Sequence, residues 1–317
     1  MKNNSLSILL LNPALNTEDY KSYVTSRRIE EGVGNQESPH IGFGYILAVA
    51  RQKKVEARYI DMGLEDFSIS KLLDLIEDEQ PLLVGFTAFT VQINAAAVIA
   101  GQIKLRFPNQ RVCVGGAHAT SVPLETLKEF PSFDFVVCGE AENSIFEALS
   151  RIALGQKVEN INGIIPQGAN KVTRTTIEHL DPLPFPLWEA FDLKKYPGMY
   201  QHHMALELPM VTSRGCPFQC IFCVGRTFRE KRSIRSVDSV LQEIENNIQM
   251  FGCQSIAFLD ETLILKVSWA KELFQKMIDR GISKSINWSC STRVSDISPE
   301  MLNLMKRAGC YYIFWDL

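Results

Sequence analysis

The first 155 residues alternate short apolar runs with amphipathic stretches. Apolar runs of this kind predict strands of a sheet that is buried on both faces, and such sheets are parallel and covered by helices. Right-handed crossovers between five strands predict a doubly wound, flavodoxin-like parallel sheet. The predicted strands are residues 7–12, 56–61, 82–89, 111–116 and 133–139, and the predicted helices are 44–52, 69–78, 93–107 and 143–153.

Small and polar residues stand where these predicted strands end, which is where such sheets bind ligands. The glycines allow close approach to the backbone, whereas threonines at strand ends often have only a structural role. His118 is equally placed to contact a ligand or to cap the next helix. The candidate ligand-binding residues are Asn12, Thr87, Thr90, Gly115, Gly116, His118, Gly139 and Glu140.

Residues 156–206 have a different character. The segment "INGIIPQGANKVTRT" predicts a small hairpin with its turn near Gly168, Ala169 and Asn170. The segment "LDPLPFPLWEAFDLKKYPG" contains four prolines and predicts an ordered connecting strap. We therefore predict three parts: residues 1–155, 156–206 and 207–317.

The strand–helix alternation returns from residue 207. Ser236, Ser268 and Ser298 are predicted helix N-caps, and a glycine ends each predicted helix. Four apolar strands are predicted, within "LPMVTSRG", "SIAFLDE", "INWSCSTRV" and "YYIFWDL". An apolar edge strand needs a neighbour. We therefore expect the first part of an incomplete (β/α) partial barrel, completed beyond this chain or by another one.

Composition excludes several classes of partner. A net charge of −3 and a pI near 6.0 give no reason to expect binding to nucleic acid or to an anionic membrane. No apolar run reaches the roughly 18 residues of a membrane span, and the N-terminus lacks a signal-peptide pattern. We expect a cytoplasmic protein. Five of its eight cysteines are scattered and predicted to be small buried residues: Cys113, Cys138, Cys253, Cys290 and Cys310.

The other three cysteines are clustered in "TSRGCPFQCIFC" as Cys216, Cys220 and Cys223. A structural zinc site requires a fourth ligand, and the nearest candidates for it are His202 and His203. A disulfide with one odd cysteine suits a reducing compartment poorly. An iron–sulfur cluster fits better, since thiolates are its usual ligands, and three of them would leave one iron open.

The spacing Cx3Cx2C, with Phe222 before the third cysteine, resembles the signature of the radical S-adenosylmethionine (radical SAM) superfamily. The segments "ILLLNP", "VGGAHAT", "DFVVCGEAE" and "LDPLPFPLW" resemble, in this order, the landmarks of the cobalamin-binding domain that precedes the radical SAM domain in one large branch. The resemblance covers nearly the whole chain.

This resemblance implies roles for individual residues. Cys216, Cys220 and Cys223 would bind a 4Fe-4S cluster whose open iron chelates SAM, and Phe222 would lie near the adenine. Asp260 and Glu261 would contact the SAM amino group, although Asp260 could instead cap a helix or loop. Ser291 and Arg293 are weaker candidates for its carboxylate or ribose, and a solvated or salt-bridged Arg293 is the alternative. The strand ends of the first half would bind cobalamin.

The implied activity is reductive cleavage of SAM, with methylation of an unreactive carbon. The alternatives are a radical SAM cyclase of the same branch, or a fragment that binds cobalamin and a cluster without turnover. A flavodoxin or ferredoxin would supply the electron, and the sequence names no small-molecule substrate.

Three features depart from the pattern or add to it. The chain lacks the DxHxxG motif of proteins that ligate cobalt with histidine, so we expect no protein histidine on cobalt, although His40 lies in the right region. The long segment 13–39 could shape a cavity, with flexible surface as the default. The stretch 225–235 holds five basic residues and predicts a solvated face rather than a site for the SAM carboxylate or an acidic substrate.

Overall fold

The computed structural model describes residues 6–14, 38–64, 68–196, 206–225 and 232–316. The long segment discussed above lies largely outside these ranges, as do His202, His203 and residues 226–231. The chain divides into two compact units. Within the described ranges, the first unit comprises residues 6–14, 42–64, 68–176 and 186–191, and the second comprises 38–41, 177–185, 192–196, 206–225 and 232–316.

The first unit contains a six-stranded sheet in the order β2-β1-β3-β4-β5-β6. Five strands are parallel and confirm the predicted flavodoxin-like order, while β6 runs antiparallel to β5 at the edge. The strands are β1 Ser7–Asn12, β2 Glu56–Asp61, β3 Leu83–Thr87, β4 Arg111–Gly115, β5 Phe135–Val137 and β6 Ile164–Pro166.

Helices cover this sheet because their apolar faces pack on the buried strands. Leu9 and Leu11 of β1 lie in one core cluster with Leu72 and Ile76 of the second helix, all at most 2% exposed. Ser68 caps that helix through the Lys71 amide. The helices are α1 Ile41–Gln52, α2 Ile69–Glu79, α3 Ile93–Arg106, α4 Gly116–Ser121, α5 Pro123–Glu129 and α6 Ala141–Ala153.

The predicted hairpin after residue 160 is wrong. Its first arm becomes β6, which pairs with the open edge of β5. Its second arm makes a single parallel bridge, from Thr175 to Gly139. The edge of β5 therefore takes the backbone hydrogen bonds that the hairpin would have used.

The second unit contains a parallel sheet in the order β12-β11-β10-β7. This is the βα arrangement predicted for the front of a partial barrel. Its strands are β7 Glu207–Met210, β10 Ser255–Phe258, β11 Asn287–Arg293 and β12 Cys310–Asp316, and two short strands, β8 Ser213–Arg214 and β9 Ser233–Ile234, pair antiparallel.

Three helices of this unit follow the predicted spacing: α7 Val237–Phe251, α8 Val267–Asp279 and α9 Pro299–Arg307. Ser236 and Ser298 are N-caps, as predicted. The prediction for Ser268 is wrong, because α8 already begins at Val267 and Lys266 stands at the cap position. None of the helices in the described ranges combines the length and the hydropathy that crossing a bilayer requires.

Candidate functional site

The cysteine loop, residues 215–225, leaves the second unit's sheet just after β8. Gly215 begins it with φ +89°, a conformation that favours glycine. The Cys223 amide donates to the Cys220 carbonyl oxygen at 3.0 Å, and the Gly225 amide donates to Cys223 Sγ at 3.2 Å. Cys216 and Cys220 are half-buried and Cys223 is exposed. The loop therefore presents its thiols where a ligand can reach them.

Charges concentrate at this loop. The pKa of Cys216 is raised by desolvation first, and then by the charges of Glu261, Cys223 and Cys220. Cys216 therefore lies within electrostatic range of Glu261 and of the other two cysteines. Thiolates must form before a metal is bound, so a bound cation or cluster would relieve this repulsion.

The loop offers three thiols, and thiolates are the usual ligands of iron–sulfur clusters. Among the residues that the structure describes, no three His, Cys, Asp or Glu side chains are gathered so as to hold one metal ion. A zinc ion would need its ligands about 2.3 Å from one point. In an iron–sulfur cluster each thiolate binds a different iron, so the sulfurs can stand further apart.

Asp260, two residues after the end of β10, is 2% exposed and already has partners. It accepts hydrogen bonds from the Thr212 amide at 3.0 Å, the Thr212 hydroxyl at 2.8 Å and the Ser213 hydroxyl. Asp260 therefore caps a loop and holds the strand that leads to the cysteines. Most of the acceptor capacity of its carboxylate is therefore used within the protein.

Glu261 is the more accessible of the two predicted carboxylates. It is exposed, and the backbone of Gly215, at the start of the cysteine loop, is among the groups that act on the pKa of its carboxyl. Its pKa is raised, by desolvation first and then by the charge of Asp260. Of this pair, Glu261 is better placed to meet a cationic ligand.

The candidates on β11 reach the same loop. The Arg293 guanidinium lies over the ring of Phe218, 3.9 Å from its centroid, within cation–π range. Ser291 holds the segment after β10 through its carbonyl oxygen, which accepts from the Leu263 amide at 3.0 Å. Phe218 was not among the residues predicted from the sequence, although an aromatic residue inside the cysteine spacing is a visible signal. Phe222, by contrast, is 76% exposed.

In the first unit, Asn12 is 2% exposed and belongs to a buried polar network. Its amide donates to Asp61 at 3.2 Å and accepts from Gln92 at 3.2 Å. Gln92 also accepts a hydrogen bond from the Phe89 amide. β3 ends at Thr87, two residues before the predicted end at residue 89. Asn12 thus joins strand ends and offers little surface to a ligand.

Two other candidates at this edge are accessible. His118 Nδ1 lies 3.2 Å from Thr90 Oγ1, beside Phe89, which is 58% exposed. His118 lies inside α4, so it is not a helix N-cap. Burial lowers the pKa of His118, which favours a neutral imidazole. The pair can accept or donate a hydrogen bond at the carboxyl edge of the sheet.

Close contacts within the protein account for two of the glycines at this edge. A Cβ on Gly116 (φ +88°) would lie 2.7 Å from Thr87 Oγ1, and one on Gly139 (φ +92°) would lie 2.4 Å from the Thr175 carbonyl oxygen. Gly115 is less crowded, with the nearest atom 3.4 Å from such a Cβ. Glu140 follows Gly139, and its amide donates to the Thr175 carbonyl oxygen at 3.0 Å. Gly116 and Gly139 are therefore required by packing, whether or not a ligand also approaches them.

The prediction of a solvated basic face for residues 225–235 is wrong for its two described arginines. The side chains of Arg232 and Arg235 are 8% and 4% exposed. Arg235 pairs with Glu243, which lies eight residues further along the chain and is fully buried.

Comparison with known families matches both units. The B12 binding domain model matches residues 32–149, and the radical SAM superfamily model matches residues 210–316. An uncharacterized methyltransferase of Pyrococcus horikoshii is 29% identical over 301 residues, covering 92% of this chain and 63% of the relative. The anaerobic magnesium-protoporphyrin IX monomethyl ester cyclase of Cereibacter sphaeroides is 26% identical over 276 residues, covering 84% and 44%.

Solved structures agree with this assignment of the fold. The cobalamin-dependent SAM radical enzyme OxsB, with aqua-cobalamin and SAM bound, superposes with a TM-score of 0.76 at 18% identity, covering 99% of this chain and 44% of that one. The chain thus spans less than two thirds of the length of these relatives.

Proposed function

Because the chain belongs to the radical SAM proteins that carry a B12-binding domain, we propose that it cleaves SAM reductively and methylates an unreactive carbon. The observation that carries the proposal is the cysteine loop, which presents three accessible thiols beside Glu261 in a unit whose sequence matches the radical SAM model. When bound, a 4Fe-4S cluster would supply the electron for cleavage of the sulfonium, and cobalamin would carry the methyl group.

The second unit offers groups for both the cluster and SAM. Cys216, Cys220 and Cys223 would hold the cluster, and the exposed ring of Phe222 would pack on the adenine. The Glu261 carboxylate would accept hydrogen bonds from the SAM amino group, since a carboxylate suits an ammonium partner. Arg293 would offer the edge of its guanidinium to the SAM carboxylate or ribose while its face rests on Phe218, and Ser291 is a weaker candidate for the same groups.

The carboxyl edge of the first unit's sheet offers groups for cobalamin. Thr90 and His118 would donate and accept hydrogen bonds with the cofactor or its nucleotide tail, and Phe89 would cover an apolar part of it. Gly115 and Gly116 would let it lie close to the backbone, with Thr87, Gly139 and Glu140 along the same rim. Asn12 would act by holding the ends of β1 and β2 in place.

Metal binding is tested by anaerobic reconstitution with iron and sulfide. We expect close to four irons per chain and broad visible absorbance for the wild type. Cys220→Ala should lose most of both signals, because two thiolates are left. Cys310→Ala is the matched control, since Cys310 is also half-buried but lies on β12. Iron content unchanged in Cys220→Ala, or stoichiometric zinc in place of iron, would refute the proposal.

Turnover is tested with SAM, a reductant such as reduced flavodoxin or dithionite, and hydroxocobalamin. Methylation chemistry predicts S-adenosylhomocysteine together with 5′-deoxyadenosine. A cyclase, which the similarity to the Cereibacter sphaeroides enzyme makes the second candidate, would give 5′-deoxyadenosine without S-adenosylhomocysteine. A chain that binds both cofactors and forms neither product would be a binding fragment.

A further inference from the structure

A buried polar cluster closes the base of the cysteine loop. Ser213 and Arg214 precede the loop and pair antiparallel with Ile234 and Ser233, which follow it. The chain segment that contains the cysteine loop is therefore flanked by residues at neighbouring backbone positions. We call this pair of short strands, β8 and β9, the collar. Contacts that hold the collar in place also fix the position from which the cysteine loop begins.

Arg232 stands at the end of the collar with its side chain 8% exposed. Its Nη2 donates to Ser213 Oγ at 2.8 Å, to the Thr262 carbonyl oxygen at 2.9 Å and to the Leu263 carbonyl oxygen at 3.3 Å. The first acceptor precedes the cysteines and the other two follow β10. One guanidinium group thus ties the loop's entry and exit to the edge of the sheet.

Asp260 completes the cluster from β10. Its Oδ1 lies 3.9 Å from Arg232 Nη2, and it also accepts from the Ser213 hydroxyl. The Ser213 hydroxyl therefore donates to the aspartate and accepts from the arginine. Such a buried network favours one geometry, because the Ser213 hydroxyl and the Asp260 carboxylate are satisfied by the other members.

Two nitrogens of Arg232 are left over. Nε and Nη1 are buried and have no acceptor among the residues that the structure describes. Buried N–H groups are seldom left without acceptors, because their desolvation is then uncompensated. Beyond Asp260, the charges that act on the guanidinium are those of Glu261 and Cys216. The surroundings are therefore negative, and they become more so when the cysteines bind as thiolates.

We infer that Arg232 is a positioning residue that fixes the cysteine loop and, through its positive charge and unused N–H groups, stabilises the cluster that the loop is proposed to hold. This inference rests on the proposed function. A nearby positive charge and hydrogen bonds toward the sulfurs favour the reduced, more negative form of a cluster. Arg232 should therefore raise the cluster's reduction potential as well as its retention.

The experiment compares wild type, Arg232→Met, Arg232→Lys and Arg280→Met as full chains reconstituted without oxygen. Arg280 is the matched control because it is 40% exposed and paired with Asp238 and Glu245, so its loss removes an equal charge away from the collar. Iron per chain and the midpoint potential from a spectroelectrochemical titration are measured. Hydrogen exchange of the cysteine-loop peptides in metal-free protein gives a readout that needs no cofactor.

We expect Arg232→Met to hold less iron, to have a more negative midpoint potential and to exchange faster in the cysteine loop. Arg232→Lys should keep the wild-type potential, since the charge remains, while losing part of the iron because one ammonium cannot reach every acceptor. Arg280→Met should match the wild type. If the Met variant holds no cluster, a Lys variant that holds one at the wild-type potential supports the inference.

Wild-type potential and exchange in Arg232→Met would overturn the inference. A Lys variant as poor in iron as the Met variant would also overturn it. A wild-type chain that holds the cluster while the Arg232 variants behave normally would leave the proposed function intact. A wild-type chain that takes up no iron would overturn both.

Discussion

At the scale of single residues, burial separates the cysteines by reactivity. Cys113, Cys138, Cys253 and Cys290 are buried, whereas Cys223 is exposed. Burial raises the pKa of the Cys253 thiol to about 12 and also raises that of Cys113. Since the thiolate is the nucleophile, these two thiols should be inert.

We therefore predict the order in which the metal-free chain is alkylated. A brief exposure to iodoacetamide at about pH 8, below the raised thiol pKa values, should modify Cys223 and leave Cys113 and Cys253 intact. Peptide mass spectrometry measures each site. The same treatment in urea should label all three, and equal labelling in the folded chain would show that burial does not protect them.

The Arg235–Glu243 pair gives a second prediction at this scale. Arg235→Met leaves the Glu243 carboxylate buried without its cation, which should cost about 3–5 kcal/mol of unfolding free energy. Exposed pairs contribute about 0–1 kcal/mol, so Arg280→Met is the control. Urea unfolding measures both. Adding Glu243→Leu to Arg235→Met should recover much of the loss, because an apolar pair of similar volume is often neutral.

At the scale of elements, the link between Thr175 and the first unit's sheet depends on glycine. Gly139 and Gly168 have similar positive φ angles, +92° and +78°, but a Cβ on Gly168 would meet nothing within 4 Å. Gly168→Ala should therefore cost about 1–2 kcal/mol, from conformation alone. Gly139→Ala should cost about 1–3 kcal/mol more, because the Thr175 backbone must move.

Chemical unfolding of the two glycine variants measures this difference. If both variants lost the same unfolding free energy, the backbone around Thr175 would be able to move aside at no energetic cost. A larger loss in Gly168→Ala would contradict the packing argument itself.

Elements bounded by strong local signals could be predicted from the sequence. β1 and β2 were predicted to the residue, because β1 is a short apolar run and β2 alternates polar and apolar side chains. Ser236 was found because capping is local. The hairpin prediction failed because β6 pairs with the edge of β5, which is distant in sequence, and not with the second arm of the predicted hairpin. The burial of Arg235 depends on its pairing with Glu243, and Glu243 becomes buried only when α7 packs against the rest of the unit. The division of roles between Asp260 and Glu261 likewise depends on which carboxylate meets Thr212 and Ser213.

At the scale of the whole molecule, each unit has its own sheet and its own buried core. The candidate groups for cobalamin lie in the first unit, and the cysteine loop lies in the second. Two such units can each bind a ligand without the other's ligand. Ligand binding stabilises a fold by about 2.7 kcal/mol when the free ligand is at a hundred times its Kd.

We predict that Cys220→Ala impairs binding of the iron–sulfur cluster without affecting binding of cobalamin. The variant should lose most of its iron, yet it should bind hydroxocobalamin with wild-type affinity, because no candidate group of the first unit has changed. Absorbance titration of the metal-free wild type and the variant measures this affinity, and thermal unfolding with excess hydroxocobalamin should show the same gain in both. If the variant bound cobalamin much more weakly, the cobalamin site would depend on the cysteine loop. Unchanged cobalamin affinity would show that the candidate groups of the first unit act without the cysteine loop.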